Sequence, residues 1–281
     1  MSLKNLLLIF LLVTISVVGC RAPANGEKPV NNNQPSPAKS ESTPGKKTVT
    51  GTLDDEKILK LLYGNYNAKE KRAEWKPTEE DLNKFEWPSE IDTAYTSVGL
   101  AVNFQQGGSE RFLVITQTAP PEIISHASGG IVGGALFTKV GDAWQLDLDQ
   151  KYIDQMGGYN AAPEGNLVKI GPDKYGVLFR PGFTNQGYTV ESLVIISEID
   201  KQFREIALVE EIYQDNEGSC GGDLGECWKY DSKIEFVPGS NPLYFDLKVT
   251  TSGTKQSDDK VINFNEVRTY RFQNGKYETT K

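Results

Sequence analysis

The chain has 281 residues, a formal net charge of −8 and a pI near 5.0. Such acidity argues against nucleic acid as a partner and against a body that lies on anionic lipid. With His126 as the single histidine and only three cysteines, a histidine-rich zinc site is excluded.

The first 19 residues differ from everything after them. Lys4 gives a positive start, Leu6 to Val18 is apolar apart from Thr14 and Ser16, and the small Gly19 precedes Cys20. The run is shorter than the roughly 20 apolar residues of a membrane span and has the flanks of a secretory signal. Its end, Val17-Val18-Gly19-Cys20, resembles the lipobox of bacterial lipoproteins, with Val17 where leucine is more usual. That resemblance covers residues 1–20. It implies cleavage before Cys20, acylation of that cysteine, a place in the bacterial cell envelope and the membrane as a partner through the lipid. Arg21, standing where an aspartate would mark the inner membrane, implies the outer membrane if the source has two.

Residues 20–51 read as the lipidated cysteine and a tether. Pro23, Pro29, Pro35, Pro37 and Pro44, with the run Asn31-Asn32-Asn33-Gln34, leave almost nothing apolar to bury, so the segment should remain solvated. The leader carries +1 and residues 21–50 carry +3, so the −8 of the whole chain leaves −12 on the body from residue 51 onward.

The body, residues 52–281, opens with a predicted helix. Thr52 is its expected cap, Asp54 and Asp55 suit the first turn, Leu53, Ile58, Leu59, Leu61 and Leu62 make an apolar stripe, and Gly64 ends it. A second helical piece follows Pro77, capped by Thr78, with Leu82 and Phe85 facing inward. From Ile91 the pattern turns to strands at 97–104, 112–117, 134–138, 144–147, 167–170, 176–180, 192–197, 233–237, 244–250 and 269–272. Residues 205–213 read as a strand too, although their charge spacing also fits a helix. Turns on Gly141-Asp142, Pro172-Asp173 and Asn274-Gly275 each return through an aromatic, and Asn-Gly signals a type I′ hairpin. The glycines are not periodic, so no strict repeat is expected. The fold class is therefore mainly β: one antiparallel domain of sandwich- or propeller-like hairpins with a short N-terminal helix.

Cys220 and Cys227 enclose three glycines in an exported chain, which points to a disulfide. The Cys-x-x-Cys spacing of redox and metal sites is absent.

Catalytic signatures are missing: no Gly-x-Ser-x-Gly elbow, His-Glu-x-x-His, phosphate loop or dinucleotide fingerprint occurs. The most unusual stretch runs from Pro120-Pro121 through Ser125-His126-Ala127-Ser128 to the glycine pairs 129–130 and 133–134. Ser125, His126 and Ser128 could be polar contacts of a binding loop, or the glycines could serve close strand packing. The stretch is similar to ones in exported bacterial proteins whose histidine is flanked by cysteines; Ser125 and Ser128 hold those places here, which removes a redox or metal reading. Tyr152, Tyr159, Phe183, Tyr188, Trp228 and Tyr230 sit in or beside glycine-rich loops, and Tyr159 and Tyr188 are the candidates for a recognition rim. Glu210-Glu211 on a strand would point to opposite faces, poor geometry for shared chemistry. Asp142, Asp147 and Asp149, or Asp215, Glu217, Asp223 and Glu226, lack the calcium-loop spacing and read as solvated acids. No catalytic residue, metal or cofactor is assigned. The expected function is a non-catalytic envelope module that binds a protein, peptide or glycan. An inhibitor of an exogenous hydrolase and a hydrolase using His126 or paired carboxylates are the alternatives.

Overall fold

The computed structural model describes residues 47–258 and 260–279, and the leader, Cys20 and nearly all of the tether lie outside them. The first half of the body builds one antiparallel sheet and two helices. In chain order these are β1 (Thr48–Thr50), α1 (Asp55–Tyr63), β2 (Ala73–Trp75), α2 (Glu79–Phe85), β3 (Ala94–Gln106), β4 (Ser109–Ala119), β5 (Gly130–Val140) and β6 (Ala143–Met156). The sheet order is β1-β6-β5-β4-β3-β2. Thr48–Thr50, at the end of the compositional tether, is thus a strand of the body: Val49 pairs with Trp144 and packs on its cluster.

Both helices form where expected, with one cap displaced. Asp54, rather than Thr52, caps α1 by accepting from the Lys57 N–H at 2.9 Å. Gly64 closes the helix at φ 89°, donating to the Lys60 carbonyl. Thr78 and Asp81 form a reciprocal capping box on α2.

The second half builds a larger antiparallel sheet from β7 (Asn166–Gly171), β8 (Lys174–Phe179), β9 (Gly182–Asn185), β10 (Tyr188–Ile199), β11 (Gln202–Asp215), β12 (Lys229–Val237), β13 (Asp246–Ser257), β14 (Lys260–Gln273) and β15 (Lys276–Thr279). Its order is β15-β14-β13-β12-β11-β10-β8-β7, and β9 also lies along β10. Asn274 and Gly275 both take positive φ in the last hairpin, as a type I′ turn requires.

The two sheets pack face to face, so the fold is a sandwich of meanders. Leu113, Ile115, Val132 and Leu136 of the first sheet meet Val177, Phe179, Val194, Ile196 and Phe203 of the second. The other face of the first sheet, with Phe112, Val114, Ala135 and Phe137, is covered by Ile58 of α1. The other face of the second sheet buries Leu193, Ile195, Ile206 and Val209 against Leu247, Val249, Tyr270 and Tyr277, because the sheet curls over itself. Phe245 N–H donates to the Ile170 carbonyl at 2.8 Å, and the Tyr277 hydroxyl donates to the Phe245 carbonyl at 3.0 Å, closing the curl.

Residues 205–213 are strand. Bulges in the β10–β11 ladder put Ile206 and Ala207 inward together and insert Glu211 at φ 56°. Glu210 and Glu211 are both exposed. The bulges break strict alternation, so that positions 206 and 207 are both buried.

Cys220 and Cys227 are bonded in the loop between β11 and β12. In the chain-entropy account, replacing both by serine should cost about 2.5 kcal/mol, measurable by denaturant unfolding; an unchanged midpoint would contradict it. Burial also pushes the Tyr230 phenol up to about 12 and raises Tyr277 further. The folded protein keeps these protons where the unfolded chain releases them, from about pH 10 upward. The contribution of these two tyrosines should accordingly be complete below about pH 10 and fall as pH rises above it. Tyr277→Phe should flatten that alkaline slope and cost about 1 kcal/mol at neutral pH.

Candidate functional site

The stretch around His126 folds as a loop braced by a second loop at 157–162. Ser125 and Ser128 hydroxyls lie 2.8 Å apart, and the Ser128 N–H donates to the Ser125 hydroxyl at 3.0 Å, closing a local turn. Tyr159 N–H donates to the His126 carbonyl, and Asn160 N–H to the Ser128 carbonyl at 2.7 Å. The Asn160 side-chain amide donates to the Glu122 carbonyl at 2.9 Å. Tyr159 and Asn160 adopt φ 55° and 59° to make this crossing. The His126 ring stacks on Tyr159 with centroids 4.8 Å apart.

The glycine pairs serve packing of backbone on backbone. A side chain at Gly129 would strike Met156, one at Gly130 would strike Ala161 and Ala162, and one at Gly133 would strike Thr116 and Lys151. Gly134 lies against the Phe203 ring of the other sheet.

Of the five candidate contacts, Ser125, His126, Ser128 and Tyr159 come together. Tyr188 lies apart from them, leaning on Trp228 beside the disulfide loop. Trp228 and Tyr230 are buried in contact with each other, and Tyr152 stacks on Phe85, so these aromatics fold back onto the core. Tyr159 and Phe183 remain 59% and 63% exposed.

Next to the His126 loop the end of β6 is flanked by two cavities, together called the crevice. The first, about 360 Å³, is lined by Glu86, Trp87, Ile124, Ser125 and the end of β6. The second, about 380 Å³, lies between the end of β6 and the strands β9, β10 and β11, with Phe183, Val190, Glu205 and Leu208 in its wall. Gln155, Met156 and Gly157 line both. Val194 and Ile196 face the first sheet, and the same face of β10 continues through Ser192 and Val190 into the crevice. Among the exposed large apolar side chains, Ile124 lines the first cavity and Phe183 and Leu208 the second, while Ile123 adjoins Ile124 in sequence. Single exposed apolar residues are ordinary on a surface; a gathering of them beside a cavity marks an interaction face.

Two carboxylates, Asp154 and Glu205, lie in the wall of the second cavity. Burial raises the Asp154 pKa above the ordinary carboxylate range, although the Gln155 N–H donating at 2.7 Å opposes it. Burial raises Glu205 as well, repulsion from Asp154 adds to the rise, and Lys276 pulls the other way. Neither residue was singled out in the sequence. They belong to opposite sheets, and only the packing of β6 against β11 brings them to one wall.

Ser125 and Ser128 bond to each other, and among the described residues the His126 ring accepts from and donates to none. A nucleophile–base pair is therefore not assembled there. Among the described residues no group of three or more His, Cys, Asp or Glu side chains comes together. Of the acids considered for calcium, Asp147 takes Thr138, Gln145 and Arg111 as partners, and Asp215 accepts from Tyr213 and from the Glu217 N–H.

Raised carboxyl pKa values fix a sign. The folded state holds these protons more tightly than the unfolded chain, so their contribution is complete at pH below the ordinary values of 3.8 and 4.5 and is lost as pH rises through the folded values. Once ionised, the pair opposes folding. Glu205→Gln should raise the melting temperature at pH 7, and the gain should vanish near the ordinary carboxylate pKa, about 4; a lower melting temperature at pH 7 would refute the argument.

Comparison with protein-family models, with curated proteins and with solved structures finds no match to this chain.

Proposed function

We propose that this chain is an exported, lipid-anchored protein of the bacterial cell envelope whose body is a non-catalytic binding module, with the crevice beside the His126 loop as its ligand face. The lipobox-like end of the leader, Cys20 and the proline-rich tether support the anchoring half. The observation that carries the binding half is the presence of exposed Phe183 and Leu208 in the wall of one cavity and of Ile124 in its neighbour, with the end of β6 common to both. Apolar side chains left in water lose about 25 cal/mol for every Å² that a partner could cover. A rigid frame of strands holds the face, which lowers the ordering cost of binding.

Both halves can be tested separately. An alkynyl fatty-acid label fed to expressing cells should tag the chain, and Cys20→Ser should abolish the tag and release the body from the membrane fraction. An unlabelled wild-type chain would end the anchoring half. Hydrogen exchange of the purified protein, with and without a detergent extract of envelope, should slow at 123–128 and 182–191 and stay unchanged around the exposed Val267. Protection elsewhere, or none, would end the binding half.

A further inference from the structure

A third cavity shares the 157–162 loop with the crevice: Gly157 lines the crevice, and Asn160 lines the third. Its volume is about 330 Å³, which suits a small ligand. Four of its lining side chains, Glu70, Arg72, Gln117 and Asn160, end in flat groups with two polar heads, and Tyr95 and Ser97 of β3 join them.

The fold fixes most of these heads in advance. The Arg72 guanidinium lies 3.5 Å from the centre of the Tyr95 ring, and its Nε and Nη2 donate to one Glu74 oxygen at 3.1 and 3.0 Å. Among the described residues its Nη1 meets no acceptor. Asn67 closes the loop that carries Glu70 and Arg72. Its Oδ1 accepts from the Lys69 and Glu70 N–H groups, and backbone bonds run both ways between Asn67 and Arg72. Gln117 donates to the Pro163 carbonyl at 3.4 Å and fills the space that Gly99 leaves beside it.

Asn160 differs from the rest. It is 8% exposed, and the Glu122 carbonyl sets its amide, because only the nitrogen can donate there. The Asn160 Oδ1 is therefore assigned, and it is buried with no donor among the described residues. A buried acceptor left in that state weakens the fold, and a donor supplied by a ligand offsets the loss. Charge in the wall cancels as well. Glu70 and Arg72 share it, and Arg72 is already paired with Glu74. A free anion would meet carboxylates there, and a free cation would meet the guanidinium.

We propose that this cavity is a second binding site, separate from the crevice, for one or two neutral sugar units of a glycan. Each hydroxyl of a sugar ring both donates and accepts, and a flat two-headed group spans two neighbouring hydroxyls. Arg72 Nη1 donates to the sugar, Asn160 Oδ1 accepts from it, and Ser97 and Gln117 hold the adjacent hydroxyls. A peptide presents its polar groups in a line along its backbone, which four converging side-chain heads do not match.

The test follows backbone amide shifts of the isotope-labelled, purified protein as neutral disaccharides are added to about 50 mM. The sugars are those of glucose, galactose, mannose and N-acetylglucosamine. At least one should move the amides of 70–72, 95–97, 117–119 and 160–161, and its amino and uronic acid forms should bind at least about tenfold more weakly. Asn160→Gly suits the positive φ of 59° and removes the acceptor, so it should abolish binding. Should that variant loosen its loop, Ser97→Ala at an exposed position should still cost about tenfold in affinity with the melting temperature unchanged. No movement at these amides with any of the four sugars, tighter binding of a charged form, or full affinity in both variants overturns the proposal. So does a capped peptide of serine and asparagine that moves the same amides as strongly. Movement at 123–128 and 182–191 instead would put the sugar in the crevice and remove this cavity as its site.

Discussion

The structure depends on one apolar contact, the meeting of β4 and β5 with β8 and β10 across the sandwich. Ile115, Val132, Phe179 and Ile196 are almost wholly buried in it. β10 has no wet face in its middle: Val194 and Ile196 serve the contact between sheets, while Leu193 and Ile195 serve the curled half of the second sheet. A strand buried on both sides ties two cores into one, so neither sheet can loosen without exposing the other. A register slip of one residue would exchange the two sets of side chains, and both sets are specified.

The crevice follows from that contact. The face of β10 that covers the first sheet runs on beyond its cover, and the end of β6 with the 157–162 loop forms the opposite bank. The site is thus an unfilled continuation of the core. It carries Leu208 and Phe183 where a fully covered sheet would bury them, and it carries Asp154 and Glu205 at a depth where ionisation is disfavoured. Groups held this way weaken the folded state.

Much of the fold is legible in the sequence because local signals agree with the final packing. Gly64 and Thr78 act as helix boundaries, and Asn274-Gly275 makes its turn with both residues at positive φ. Legibility fails where tertiary context breaks the local rule. At 205–213 two bulges interrupt the strand alternation. At 48–50 a three-residue strand is recruited by β6 from a segment whose composition reads as tether. The candidate site was half visible. Ser125, His126, Ser128 and Tyr159 stand out as a loop cluster, yet Tyr188 belongs to the disulfide side. Asp154 and Glu205 are ordinary acids on ordinary strands until β6 and β11 meet, and no local pattern encodes that meeting.

An unpaired β-strand at a protein's margin invites stacking by identical molecules, which is how fibrils begin. Gly182 to Asn185 is such a margin. Here the surplus of carboxylates acts as insulation, since two bodies brought edge to edge would press like charges together at short range. Copies crowded together would stay separate on that account, each with its margin still open.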